Sequence, residues 1–139
     1  MITDIVLEEG AKEPTLAHEE DAGYDLYARD WGIVPPHGSR VFDTGVRIEI
    51  PLSLAGFVKS KSGLYMKHDI TAEGVVDPGY TGTIRVKLVN NGGGIYRVEK
   101  HDKIAQLCFV RVERPMLRVV DKLRDTARGE GGFGSTGVK

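Results

Sequence analysis

Residues 74–88 read GVVDPGYTGTIRVKL. In the second half Ile84, Val86 and Leu88 alternate with Arg85 and Lys87, the period of a strand with one face buried and one in water. At the centre, Asp77-Pro78-Gly79-Tyr80 is a β-turn by composition, because proline presets the first central residue and glycine supplies the positive φ of the second. The stretch is therefore a hairpin. Outward from it the same grammar repeats. Val46, Ile48 and Ile50 alternate with Arg47 and Glu49, and Ile104 to Val110 is nearly all apolar and continues into Arg111 and Val112, which predicts a strand covered on both faces. Pro35-Pro36-His37-Gly38 and Asn90-Asn91-Gly92-Gly93-Gly94 each separate two such runs. Only Ser62 to His68 fits a short helix, and no repeat of fixed period occurs. The expected fold is all-β, a jelly-roll-like sandwich or barrel.

The chain has 139 residues, 40% hydrophobic and 28% charged, which suits one globular domain with a single core. No apolar run approaches the roughly 20 residues of a spanning helix, and the N-terminus lacks a basic segment followed by an apolar one, so a cytoplasmic protein without membrane contact is expected. The one cysteine, Cys108, lies in IAQLCFV and reads as a buried small hydrophobe. A net charge of -1, with both signs mixed along the chain, argues against tracking a nucleic-acid backbone. It leaves room for a small anion, which needs only a few placed cations and backbone N–H groups.

Four segments carry residues suited to chemistry. Asp77 and Tyr80 put a carboxylate and a phenol on the hairpin, although a turn alone accounts for Asp77. Lys59-Ser60-Lys61-Ser62-Gly63 alternates cations with hydroxyls; as a strand end it would put both lysines on one face, and as an edge strand it would be a guard against aggregation. Asp21 to Tyr27 offers two carboxylates beside a glycine. His18, His37, His68 and His101 lack metal-ligand spacing and read as surface residues. Last, residues 128–139 read RGEGGFGSTGVK, five glycines in twelve, too many to hold a strand or helix. This predicts a β domain over 1–127 and a mobile arm over 128–139. Phe133 and Arg128 give that arm two anchors, and Ser135 and Thr136 add hydroxyls to a glycine nest.

In order, these segments resemble the five motifs of the trimeric dUTPase family. They are Ala22 to Ala28 (AGYDLYA), Lys61 to Leu64 (KSGL), Gly74 to Gly82 (GVVDPGYTG), Asp102 to Leu107 (DKIAQL) and Arg128 to Gly137. The resemblance implies hydrolysis of dUTP to dUMP and pyrophosphate, a jelly roll, and a homotrimer with shared active sites. It implies that Asp77 is the general base for water attacking the α-phosphorus. Mg2+ would be held mainly by phosphates and waters, with Asp25 reaching it through a water. Lys61, Ser62, the Gly63 N–H, Gln106 and Arg128 would hold phosphate oxygens. Val75 and Val76 would pair with uracil through their backbone, Tyr80 would lie under the deoxyribose, and Phe133 would stack on the base as the arm closes over the site. Thr71, Arg85, Gly134 and Ser135 complete the implied substrate contacts.

Three positions depart from the family pattern. Lys61 stands where arginine is usual, keeping charge but not the planar fork, with Lys59 as a neighbouring substitute. Asp69 and His101 stand where glycine is common. Two other readings stay open on the sequence: a dCTP deaminase using Glu73 as proton shuttle, and a nucleotide sensor or protein-binding module that keeps the fold.

Overall fold

The computed structural model describes residues 1–134 and 136–137. Among the described residues nine strands and one helix follow in order: β1 Ile5–Leu7, β2 Tyr24–Tyr27, β3 Gly32–Val34, β4 Ser39–Ile48, β5 Leu54–Lys59, α1 Ser62–His68, β6 Ile70–Val76, β7 Thr83–Asn90, β8 Tyr96–Val98 and β9 Lys103–Arg111. Seven strands form a curled sheet in the order β1-β4-β7-β6-β5-β9-β2, and β3 pairs with β8 separately. All pairings are antiparallel. The all-β expectation and the single short helix hold.

Period-two burial explains why these segments are strands. Ile84, Val86 and Leu88 are buried while Arg85 and Lys87 face water, and Val46, Ile48 and Ile50 repeat the pattern. With Leu26, Val34, Phe42, Val58, Ile70, Val98, Ile104 and Leu107 they make one core. Each such side chain contributes about 1.5–3 kcal/mol on leaving water. β9 departs from expectation: Ile104, Ala105 and Leu107 are buried, but Cys108 and Phe109 are half-buried and Val110 is exposed. The run is nearly all apolar, yet this chain supplies cover only for its first half.

Two features place the site. β6 changes partners along its length: Ile70 to Ala72 pair with Asn90 to Leu88 of β7, and Glu73 to Val76 pair with Lys59 to Gly56 of β5. That exchange curls the sheet. The α1 C-cap, Asp69, is left-handed at φ 54°, and its N–H donates to the Leu64 carbonyl. His101 is also left-handed, at φ 65°. Both positions that carry a side chain in place of the family's usual glycine thus keep the glycine conformation, which a non-glycine residue adopts at a cost of about 1–2 kcal/mol, less for aspartate.

Candidate active site

β5, β9 and β2 lie side by side, with Lys59 opposite Gln106 and Gln106 opposite Asp25. At this end Gln106 Nε2 donates to the Ser60 carbonyl at 3.1 Å. Ser60 Oγ accepts from the Ala72 N–H at 2.9 Å and donates to the Ala72 carbonyl at 3.3 Å, locking the end of β5 onto β6. The chain then turns through Lys61 into α1, whose first residues Ser62 and Gly63 are exposed. The space where a Gly63 Cβ would stand is open, and Gly63 lies in the first turn of α1, where a helix leaves its N–H groups without intrahelical partners.

Asp25 is the buried carboxylate of this cluster, its side chain 5% exposed. Lys61 Nζ donates to its Oδ1, and Lys103 Nζ lies 3.2 Å from its Oδ2. Burial alone would push the Asp25 carboxyl up; hydrogen bonds and charge from Lys61 and Lys103 outweigh it and hold the carboxyl below its ordinary range. The close Asp25 carboxylate in turn raises the Lys103 ammonium. Oδ2 accepts no well-aligned hydrogen bond among the described residues. Among those residues no group of three or more His, Cys, Asp or Glu could hold a metal ion. Asp25 Oδ2, buried and without an aligned donor, is an oxygen that would suit a cation reached through water.

The two lysines of the KSKSG segment point apart. Lys59 pairs with Glu73 on β6 and Lys61 with Asp25 on β2, so Lys61, not Lys59, joins Gln106 and Asp25. The Glu73 carboxylate is thereby tied up at an exposed ion pair.

A second group lies at the hairpin. The Tyr80 N–H donates to the Asp77 carbonyl at 3.0 Å, closing the expected turn, and the Tyr80 hydroxyl donates to the Thr83 carbonyl at 2.7 Å. Because β6 leaves β7 after Ala72, no ladder among the described residues joins Glu73–Val76 to β7, and the hairpin is splayed open beside Asp77. Val75 is exposed there, and Arg85 stands exposed on β7, across from Asp43 of β4. Thr71, with its hydroxyl 3.4 Å from Asn91 Nδ2, lies instead toward the Ser60 end.

Along β6 these groups lie apart. Ser60 bonds to Ala72, and Asp77 lies five residues further along, roughly 16 Å at strand rise. Among the described residues the arm makes no hydrogen bond to either group. Arg128 Nε donates to the Gly131 carbonyl, the Gly129 N–H to Thr126 Oγ1 at 3.0 Å, and Phe133 is fully exposed with Gly134 beside it. Ser135 lies outside the described residues. All four histidines are exposed, as expected. Sequence reasoning missed Lys103: a cation at the start of an apolar run looks like a solvated strand end, and only the β2–β9 register, with Tyr27 opposite Lys103, brings it to Asp25.

The features above define a class: a curled all-β domain with hydroxyls and cations at one strand end and a carboxylate beside an opened hairpin, suited to an extended anion. The family model for dUTPase matches residues 9–137. A deoxyuridine 5'-triphosphate nucleotidohydrolase from Alkaliphilus metalliredigens is 43% identical over 132 residues, covering 93% of this chain and 92% of that protein. Among solved structures, a mutant Staphylococcus bacteriophage 80alpha dUTPase with dUpNHpp superposes with a TM-score of 0.92 at 28% identity, covering 99% of each chain. A mutant dUTPase from phage phi11 of S. aureus, which coordinates a structural Mg(II) ion, gives 0.83 at 27% identity over 88% of this chain and 98% of that one. The chain belongs to the dUTPase family.

Proposed function

We propose that this protein hydrolyses dUTP to dUMP and pyrophosphate at sites shared between subunits of a homotrimer. The observation that carries the reading is the hairpin opened beside Asp77. There the backbone groups of Val75 and Val76 on the side facing β7 lack a strand partner, and unpaired main-chain donors and acceptors next to a carboxylate suit the edge of a flat base. The dUTPase relatives set the base as uracil and the ligand as a triphosphate.

Asp77 accepts a proton from water as the water oxygen bonds to the α-phosphorus. The bond from that phosphorus to the oxygen bridging the α- and β-phosphates breaks, and pyrophosphate leaves. Lys61, Ser62, the Gly63 N–H, Gln106 and Arg128 hold phosphate oxygens, so the chemistry rests on position and charge. Tyr80, anchored through Thr83, lies under the sugar, where a 2′-hydroxyl would collide with it. Phe133 stacks on the base when the arm closes and excludes water. Mg2+, when bound, draws charge from the triphosphate, and Asp25 is the residue that would reach it through a water.

Two observations support sharing between subunits. Asp77 lies roughly 16 Å at strand rise beyond Ala72, the residue that Ser60 bonds, a span too long for one triphosphate group to bridge within a subunit. Beyond β9 the chain carries Met116, Leu117, Val119 and Leu123, each more than 80% exposed, a run that calls for cover by a neighbour. A cytosolic location belongs to the same reading; among the described residues no helix is long and apolar enough to cross a membrane. The test is pyrophosphate release from dUTP, dCTP, dTTP and UTP, with light scattering on the same sample. Turnover of dUTP alone is expected, at about three times the 15.2 kDa chain mass. Ammonia release from dCTP, or no turnover of any nucleotide, would overturn the reading.

A further inference from the structure

Reaching a cation through water does not explain why the buried Asp25 carboxylate holds two lysines. Its oxygens divide between them, with Lys61 on Oδ1 and Lys103 3.2 Å from Oδ2. The lysines are not equivalent. Lys61 is the residue before α1, next to Ser62 and Gly63, with a side chain 28% exposed; Lys103 opens β9, three residues before Gln106, and is 50% exposed. Lys61 therefore stands where phosphate oxygens are to be held, yet in the free subunit its charge is spent on a carboxylate.

We propose that Lys103 is a positioning residue that keeps Asp25 compensated, so that Lys61 can exchange the Asp25 carboxylate for a phosphate oxygen. The proposal rests on the assignment of Lys61 to the triphosphate. Asp25 is a stand-in anion in the free enzyme: it holds an otherwise mobile lysine side chain at the site and has the charge and oxygen geometry that phosphate will later present. The exchange needs the second cation. A buried carboxylate stripped of its only partner is strongly disfavoured, so with Lys103 absent Lys61 would stay on Asp25 and nucleotide would have to compete for it. With Lys103 present, one positive charge remains against Asp25 after Lys61 leaves, and Oδ2 already faces it. The half-exposed Lys103 head has the freedom to tighten onto the carboxylate as Lys61 departs.

A cycle of variants separates a positioning Lys103 from one that touches phosphate directly. Binding of dUpNHpp is measured calorimetrically, with and without Mg2+, for the full-length wild type, Lys103→Met, Lys103→Arg, Asp25→Asn and Asp25→Asn/Lys103→Met, alongside thermal unfolding. Lys103→Met is expected to weaken binding about two- to fivefold, the scale for a partly exposed ion pair, and more without Mg2+ than with it, because a bound cation near Asp25 also offsets its charge. Lys103→Arg is expected to bind like wild type. Once Asp25 is neutral there is no carboxylate to compensate, so Asp25→Asn/Lys103→Met is expected to bind as Asp25→Asn does. That last comparison stands even where Lys103→Met alone fails to fold. A Lys103→Met loss that persists in the Asp25→Asn background would overturn the proposal and assign Lys103 to the phosphates. Unchanged binding in Lys61→Ala would instead remove the assignment of Lys61 on which the proposal rests.

Discussion

Gly82→Ala probes the sugar gate without touching a reacting group. A Cβ at Gly82 would stand 2.6 Å from the Tyr80 hydroxyl oxygen and 2.8 Å from Tyr80 Cζ. Ordinary contact begins near 3.4 Å, so the ring must shift by about 0.8 Å. Tyr80 is 44% exposed and has room to swing, so the substitution does not overpack the core. What it breaks is the 2.7 Å hydrogen bond that ties the ring to the Thr83 carbonyl. Losing that bond costs about 1 kcal/mol of stability. A shift of this size in a positioning group is enough to alter the ranking of substrates, since about 1 Å of misplacement can cost as much as 100-fold. We expect kcat/KM for UTP relative to dUTP to rise about tenfold, with a smaller fall in kcat/KM for dUTP itself. The assay is pyrophosphate release from both nucleotides, with thermal unfolding to register the lost bond. A measurable stability loss with an unchanged UTP-to-dUTP ratio would refute Tyr80 as the residue that excludes the ribose.

Asp77→Asn should leave folding and dUpNHpp affinity near wild type and reduce dUTP turnover by about two orders of magnitude or more, the scale of general-base loss; turnover near wild type would return Asp77 to a turn residue. Truncation after Ala127 removes residues whose described hydrogen bonds stay within 126–137 and whose Phe133 is fully exposed. Stability should therefore change by less than about 0.5 kcal/mol, while dUTP turnover falls about 5- to 150-fold or more with the loss of stacking. A large fall in melting temperature would make the arm structural. The lowered Asp25 carboxyl has a pH signature: the folded chain binds this proton less readily than the unfolded one, so the contribution is complete above the ordinary value of 3.8 and is lost as pH falls below it. Melting temperatures of wild type and Asp25→Asn should accordingly converge as pH drops from about 5 toward 2, and a constant gap would contradict the ion-pair account.

The strands were legible because burial has period two wherever one face meets the core: Ile84, Val86 and Leu88 announce β7 in the sequence, and the bounds of α1 fall at Ser62 and His68 as read. β9 was legible as a strand but not in its environment, since an apolar run cannot say whether its far end is covered within the subunit. Asp69 and His101 mark turns that glycine would favour, and the backbone kept the left-handed form despite their side chains. The site was harder. Motif order identified Asp25, Lys61 and Gln106, but only strand order brings β5, β9 and β2 together and only register puts Lys103 at Asp25. The pattern in residues 59–63 suggested that Lys59 and Lys61 share a face; the strand ends at Lys59, the next residues turn into α1, and the two cations reach carboxylates on different strands. The family resemblance implies a base held at Val75 and Val76, but periodicity alone does not show the hairpin opening, because the change of partner within β6 depends on long-range pairing with β5.

The central claim is that the general base of one subunit serves the phosphate-binding end of another. Its most direct test is subunit mixing. Asp77→Asn chains and chains carrying Lys61→Met with Ser62→Ala are each purified, shown to have little dUTP turnover, then dissociated and reassembled together. If sites are shared, some interfaces in the mixed trimers join an intact Asp77 to an intact Lys61 and Ser62, and turnover rises well above that of either parent. If turnover of the mixture stays at the average of the two parents, base and phosphate groups act within one chain, and the account of the site is wrong.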